Sequence, residues 1–270
     1  MRRRKGITLV ASLIYFAAVV LLHEEVSKVS VWLQKSLTLA LYNTVITVFS
    51  VSVVVFFLLY SLLKLRQSER TVLRVAYLFF TFICAAVSYN TLIVSNVEAI
   101  HFPQYAFLVV PAFALTGSYS ETLLSVSLLG AFDEAYQYFI FKNWTYFDFN
   151  DILLNVIGGC IGVAFLYTVL GARSLSREKP RSLIKSPVFA ITAGIFMTAA
   201  VLSAGGLLQL YPSQHGRDAL ILLSKKPPPE SFWITFKWGK RYHVLSAVEG
   251  IALCAGLIGL YAFIDRKDGA

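Results

Sequence analysis

The sequence predicts an all-α fold, namely a polytopic transmembrane helical bundle of about eight spans with both termini in the cytoplasm. Of its 270 residues, 57% are hydrophobic and only 14% are charged, and the mean hydropathy is +0.67. Such a chain has too little polar surface to cover a soluble globule. At roughly 30 residues for each span with its connection, this length holds eight or nine spans and leaves no room for a soluble catalytic domain.

Eight apolar runs define the predicted spans. They lie at residues 7–22, 39–63, 73–93, 102–116, 121–140, 152–171, 187–209 and 244–264. The first run follows four basic residues and is not followed by a small-residue cleavage site, so we expect an uncleaved anchor. The fourth run is short and contains Pro103 and Pro111, which is compatible with a kinked helix or with a re-entrant segment.

The distribution of Lys and Arg predicts the orientation, because positively charged connections stay in the cytoplasm. With the amino terminus inside, most basic residues of the short connections fall on the cytoplasmic side, and we expect a multi-pass protein of the plasma membrane. The long connection 209–243 is placed outside although it is basic. Its aromatic stretch Phe232–Trp238 predicts either an anchor at the membrane interface or a basic lid over an acidic or phosphate-bearing ligand.

The formal charge of +9 is scattered in short clusters, which excludes a nucleic-acid binder and leaves membrane lipids as the expected partners. Cys84, Cys160 and Cys254 each stand alone in an apolar run, so they predict neither a disulfide framework nor a cysteine metal site. We expect no cofactor. The oligomeric state is left open by the sequence.

Polar side chains within or beside the spans are informative, because a charge at a helix centre costs roughly 2.5 to 3.5 kcal/mol on insertion scales. On the predicted topology they collect at the outer face, between spans four, five and six. The candidate pocket residues are Glu98, His101, Tyr105, Asp133, Glu134, Gln137, Trp144, Asp148, Asp151 and Asn155. Glu249, about two turns into span eight, is a further intramembrane acid.

Helical spacing places Glu134 and Gln137 on one face, and Asp151 and Asn155 on another, so we expect the two faces to meet. The glycines Gly158 and Gly162 form a small-residue stripe that predicts close helix packing. Glu98, His101, Glu134 and Asp151 carry metal-ligand chemistry, but no pair has a diagnostic spacing, so the sequence predicts no metal site.

The motifs Asp133-Glu134-x-x-Gln137 and Asp151-x-x-x-Asn155-x-x-Gly158, with the upstream Glu98-x-x-His101-x-x-x-Tyr105, resemble the VanZ-like family of bacterial membrane proteins. The resemblance covers about residues 70–170 and departs from the family where Lys142 and Asn143 replace an expected Arg. It implies a role in the cell envelope and in resistance to the glycopeptide teicoplanin. We therefore expect four parts of the chain: an amino-terminal transmembrane pair (1–69), a VanZ-like four-helix core (70–172), a cytoplasmic linker (173–186) and a carboxy-terminal transmembrane pair (187–270) with the outer loop 209–243.

Four functions are compatible with these residues. The first is an acidic pocket, with Trp144 and Tyr146 as stacking platforms, that binds an envelope glycan, a lipid headgroup or a lipid-linked wall precursor. The second is an enzyme with Glu134 or Asp151 as general acid or base and His101 as partner, although no nucleophile motif is present. The third is a small-solute transporter, and the fourth is a purely structural set of interhelical hydrogen bonds. The pocket without chemistry is our preferred interpretation.

Overall fold

The computed structural model describes residues 2–21, 23–65, 71–140, 146–170, 183–212, 219–225, 230–235 and 239–268. Over these residues the chain is an all-α bundle with four very short strands. The helices are α1 (Arg2–Leu21), α2 (His23–Ser36), α3 (Leu39–Leu65), α4 (Thr71–Thr91), α5 (His101–Thr116), α6 (Tyr119–Ile140), α7 (Phe149–Leu170), α8 (Pro187–Ala204) and α9 (Ala247–Asp268). Single 3-10 turns lie at Asn96–Ile100 and Leu183–Lys185.

Each of the eight apolar runs coincides with a helix over most of its length, and six helices in the described part are long and apolar enough to cross a membrane. These six are α3, α4, α5 with its preceding turn, α7, α8 and α9. The apolar part of α1 is shorter, and α6 carries Glu121, Asp133 and Glu134. The chain is therefore an all-α membrane protein, as the composition predicts.

Helix α5 is continuous, which favours the helical alternative over the re-entrant one for the fourth run. Pro103 lies in its first turn, where a backbone N–H has no partner within the helix in any case. The helix ends at Gly117, whose φ of 68° is left-handed and whose N–H donates to the carbonyl of Phe113 over 2.8 Å. This left-handed cap ends α5 and allows α6 to begin two residues later.

Helix α2 is an element that the sequence pattern did not predict, because its 14 residues were assigned to a connection. It carries a basic residue, Lys35, in its last turn, which suits the negative end of the helix dipole. Its Ser30 hydroxyl lies 2.6 Å from the hydroxyl of Tyr42 and links α2 to α3.

Helix α7 is the centre of the bundle. It packs against α3, α4, α5, α6 and α9, and nearly all of its side chains from Asn150 to Thr168 are buried. The side chains around it include Tyr105, Leu123 and Tyr167, each at most 1% exposed. By contrast, α8 has no buried side chain and lies at the edge of the bundle, where its apolar surface faces lipid.

The glycine stripe of α7 packs against α5, as its spacing predicts. A Cβ atom at Gly158 would lie 2.7 Å from the carbonyl oxygen of His101, and one at Gly162 would lie 2.5 Å from the carbonyl oxygen of Ala106. Only glycine permits this approach between the two backbones.

Four short strands belong to the segment between α8 and α9. Strand β1 (Leu208–Gln209) pairs in parallel with β2 (Ile221–Leu222), and β3 (Ile234–Thr235) pairs antiparallel with β4 (Arg241–Tyr242). This α8–α9 segment contacts the bundle where α6 ends and α7 begins. Phe147 N–H donates to the carbonyl of Leu223 over 2.7 Å, and Tyr138 donates its hydroxyl proton to the carbonyl of Leu222.

Candidate functional site

The polar residues predicted from the sequence meet at one end of the bundle. Helix α5 begins there, α6 ends there and α7 begins there, so His101, Glu134 and Asp151 come together from three different helices. One potential ligand atom of each residue lies within 4.8 Å of the corresponding atoms of the other two, and all three residues are buried. We call these three residues the His101–Glu134–Asp151 triad.

Within the triad, the imidazole of His101 lies beside the Asp151 carboxylate. His101 Nε2 lies 3.7 Å from Asp151 Oδ2, which is the distance of a loose ion pair when the imidazole is protonated. The His101 ring also stacks on Tyr105, with ring centroids 6.5 Å apart. His101 and Tyr105 therefore lie side by side on α5.

A second layer of polar side chains lies deeper, between α5, α6 and α7. The Tyr105 hydroxyl donates to Asp133 Oδ2 over 3.0 Å, and Gln137 Nε2 donates to Glu134 Oε1 over 3.2 Å. The side chain of Asn155 interacts with Glu134, so the faces of α6 and α7 meet as predicted. Gln137 and Asn155 have no solvent exposure.

Two of the predicted acids cap helical turns. Glu98 accepts hydrogen bonds from the backbone N–H groups of Val94 and Ser95, at 2.8 and 3.0 Å. Asp148 accepts from the N–H groups of Asn150 and Asp151 at the start of α7, at 2.9 and 3.3 Å. Both carboxylates thus stabilise local backbone as well as adding negative charge to the site.

A cavity of about 320 Å³ opens beside these acids. Glu98, His101, Asp148 and Asp151 line its acidic side, and we call it the acidic cavity. Its remaining walls are Val26, Ser30, Leu92, Val94, Val97, Ile100, Gln104, Tyr146, Asn150 and Tyr242. Tyr105, Asp133, Glu134, Gln137 and Asn155 lie behind this wall. The sequence predicted one open pocket, and the structure divides its residues into a cavity wall and a buried layer.

The carboxyl groups act electrostatically on the tyrosines of the cavity and raise the pKa of their hydroxyls. The charge of Asp148, and then burial, raise the pKa of the Tyr146 hydroxyl. Burial raises the pKa of Asp148 itself, against the opposing effect of the N–H groups that it accepts from. Burial together with the charges of Glu98 and Asp148 raises the pKa of Tyr242. Anions are disfavoured beside these carboxyl groups, whereas hydroxyl donors and cations are favoured.

The α8–α9 segment closes one side of the acidic cavity. Tyr242 contributes to its wall, and Lys240 lies within electrostatic reach of Glu98, over the ring of Tyr89. Of the aromatic stretch, Phe232 and Trp233 are exposed side chains. Phe236, Lys237 and Trp238 lie outside the described residues, and both predicted roles of this stretch stay predictions.

Trp144 lies outside the described residues, and so do Lys142 and Asn143. Glu249 lies away from the acids, where it accepts from Ser246 over 2.8 Å and lies 3.4 Å from His243 Nε2. It caps α9 and does not extend the acidic cluster.

Asn150 is a site residue that the sequence analysis missed. Its side-chain amide donates to the carbonyls of Leu92 and His243, at 3.2 and 2.8 Å, and its Oδ1 accepts from Leu245 N–H over 2.8 Å. Asn150 thereby ties α4 and the α8–α9 segment to the start of α7. The sequence feature that could have indicated Asn150 is its position next to Asp151. Its hydrogen-bond partners are 58 and 93 residues away, so helical spacing could not predict them.

Compared with known proteins, the chain matches no family model, and no match is found among curated proteins or solved structures. The resemblance to the VanZ-like family stays a prediction.

Proposed function

We propose that this chain is a VanZ-like membrane protein of the cell envelope whose acidic cavity binds the hydroxyl-rich headgroup of a lipid-linked envelope molecule. In this proposal the bundle has eight spans, both termini are cytoplasmic and the cavity opens to the outside of the plasma membrane. The orientation rests on the distribution of Lys and Arg. A bound wall precursor would be less accessible to teicoplanin, which gives the expected phenotype of resistance.

The observation that carries the proposal is the acidic cavity itself. Its carboxylates accept hydrogen bonds, and the hydroxyl groups of Tyr146 and Tyr242 lie on the same wall. Sugars and polyols present many hydroxyl donors and no negative charge, so they suit a site of this kind. A volume of about 320 Å³ matches one or two sugar rings rather than a long glycan.

A neighbouring apolar groove supports a lipid-linked ligand. It lies between α4 and α9, has a volume of about 860 Å³ and is lined by side chains such as Phe80, Ile83 and Leu253. Leu92 borders both the groove and the acidic cavity. An amphiphilic ligand therefore has space for its chain next to the space for its headgroup.

A second candidate function is catalysis on the same ligand. The observation that favours it is the contact of 3.7 Å between His101 and Asp151, with Glu134 close by, because an imidazole held beside a carboxylate can act as a general base. In this case Glu134 and Asp151 act as general acid and base on a lipid-linked glycan.

The test is susceptibility to teicoplanin and vancomycin in a Gram-positive host that expresses the wild type, Glu134→Gln or Asp151→Asn, with membrane levels measured by immunoblot. We expect the wild type to raise the inhibitory concentration of teicoplanin several-fold and both variants to lose this effect at equal protein levels. Glu121→Gln is the matched control, since Glu121 lies on α6 about 20 Å from Glu134.

Mass spectrometry of lipids and glycans that co-purify with each variant gives a second measurement. We expect a hydroxyl-rich lipid in the wild type and in Glu121→Gln, and its loss in Asp151→Asn. No protection and no co-purified ligand in the wild type would refute the proposal. Recovery of a chemically altered ligand would favour catalysis over binding alone.

A further inference from the structure

The His101–Glu134–Asp151 triad has the composition and the spacing of a metal site. A first-row transition ion binds imidazole and carboxylate ligands at about 2.0 to 2.2 Å, which sets the ligand atoms roughly 3 to 3.5 Å apart. His101 and Asp151 are already 3.7 Å apart, and all three ligand atoms lie within 4.8 Å of one another. Torsional adjustments of about 1 Å at the ends of the side chains bring them to the coordinating distance.

The carboxylates around the triad favour the binding of a cation. Asp151 lies within electrostatic reach of Asp133, Glu134, Asp148 and Glu98. In the described part of the chain, neither Lys nor Arg lines the acidic cavity, and Lys240 interacts with Glu98 from its edge. Several carboxylates gathered in a low-dielectric bundle are costly unless protons or a bound cation offset their charge.

The side-chain amides around Glu134 give an independent indication. Gln137 and Asn155 are completely buried, and both direct their terminal amides at the Glu134 carboxylate. Within the described residues, Gln137 Oε1 and Asn155 Oδ1 accept no hydrogen bond. Buried carbonyl oxygens normally have a partner, so these two acceptors point to a donor or a cation near the Glu134 carboxylate.

The triad also selects the kind of ion. Mg²⁺ and Ca²⁺ prefer oxygen ligands only, whereas an imidazole with two carboxylates suits Zn²⁺, Mn²⁺ or Fe²⁺. Three protein ligands leave at least one coordination position for water or substrate, as in catalytic sites. His101 and Asp151 line the acidic cavity, so this position faces the cavity.

We infer that His101, Glu134 and Asp151 bind one divalent first-row transition ion at the inner wall of the acidic cavity. Asp133 lies outside this ligand set because its carboxylate accepts from Tyr105. The inference goes beyond the proposed function and does not rest on it, since the ion is held by protein side chains whether or not a glycan binds. The ion would give the cavity a Lewis acid beside its hydroxyl donors.

The test is metal binding by the full-length chain, purified in detergent micelles with a tag that binds no metal. Mass spectrometry with inductively coupled plasma measures the native metal content, and titration with Co²⁺ followed by its visible absorption measures the affinity and geometry of the site. We expect about one transition ion per chain in the wild type. We expect His101→Gln, Glu134→Gln and Asp151→Asn each to weaken Co²⁺ binding by about 10- to 100-fold or more.

Glu121→Gln is again the matched control, and we expect it to bind Co²⁺ like the wild type. Elution on size-exclusion chromatography and helical circular dichroism identify any variant that fails to fold. The inference is overturned if the folded wild type contains no transition metal and shows no Co²⁺ absorption bands. It is also overturned if the triple variant of the triad binds Co²⁺ as tightly as the wild type. Both outcomes are independent of glycopeptide susceptibility.

Discussion

Substitution of Gly158 by alanine tests how closely α5 and α7 must approach to build the site. The added Cβ would lie 2.7 Å from the carbonyl oxygen of His101, 2.8 Å from that of Phe102 and 3.0 Å from Tyr105 Cβ. Two of these three atoms belong to the backbone of α5. They cannot rotate away, so the helices must separate by several tenths of an ångström.

Overpacking of this kind costs about 1 to 3 kcal/mol. A loss of one to two kcal/mol corresponds to a change in the folded-to-unfolded ratio by a factor of roughly 5 to 30. The displacement also moves the backbone of His101, so the triad should open together with the loss of stability. Alanine favours a helix by up to about 1 kcal/mol over glycine, and the clash must exceed this gain.

The free energy of unfolding can be measured in mixed micelles with increasing SDS. We expect Gly158→Ala to be destabilised by about 1 to 3 kcal/mol. Gly194→Ala is the matched control, because a Cβ at Gly194 of α8 has no neighbour within 4 Å. We expect that variant to be as stable as the wild type or slightly more stable. Equal stability of the two variants would refute the argument that this backbone contact is tight.

Two further predictions concern polar contacts that hold the ends of the bundle. Asn150→Ala removes three hydrogen bonds. We expect the free energy of unfolding to fall by about 1 to 3 kcal/mol and proteolysis of the α8–α9 segment to become faster. Asn90→Ala is the control, because the side chain of Asn90 is exposed. An unchanged rate of proteolysis in Asn150→Ala would contradict this prediction. Asp265→Asn weakens the cap of α6, where Asp265 accepts from the hydroxyl and N–H groups of Ser120 at 2.5 and 2.8 Å. We expect a loss of about 1 kcal/mol in the same unfolding assay, and no loss would show that the cap contributes little.

The helices of the bundle other than α2 could be predicted from the sequence because apolar runs and the lengths of spans are local properties. The strands between α8 and α9 could not be predicted in this way. Each strand has only two residues, and the residues that pair between β1 and β2 are 13 positions apart in the sequence. The cap that Asp265 provides at the start of α6 could not be predicted either. Its partners Ser118 and Ser120 lie 147 and 145 residues away, so only the packing of α9 against α6 brings them together.

The candidate site could be predicted in part. Spacing along one helix correctly placed Gln137 beside Glu134, because residues three apart share a helical face. The same reasoning could not show that His101, Glu134 and Asp151 come within 4.8 Å of one another. These residues lie on three helices, and diagnostic ligand spacing exists only where two ligands share a turn or a loop. For residues 33 apart, such as His101 and Glu134, only the crossing of α5 and α6 decides whether they meet.

The glycine stripe and the acidic site are two consequences of the same helix contact. Gly158 lets the backbone of α7 touch α5 at the carbonyl of His101, and Asp151 and Asn155 lie within the two preceding turns of α7. A larger residue at 158 would hold α7 away from α5 and would widen the distance from Asp151 to His101. The interpretation of the stripe as helix packing and the interpretation of the acids as a site therefore do not compete. Tight packing at Gly158 is the physical reason that buried carboxylates from separate helices lie within reach of one imidazole.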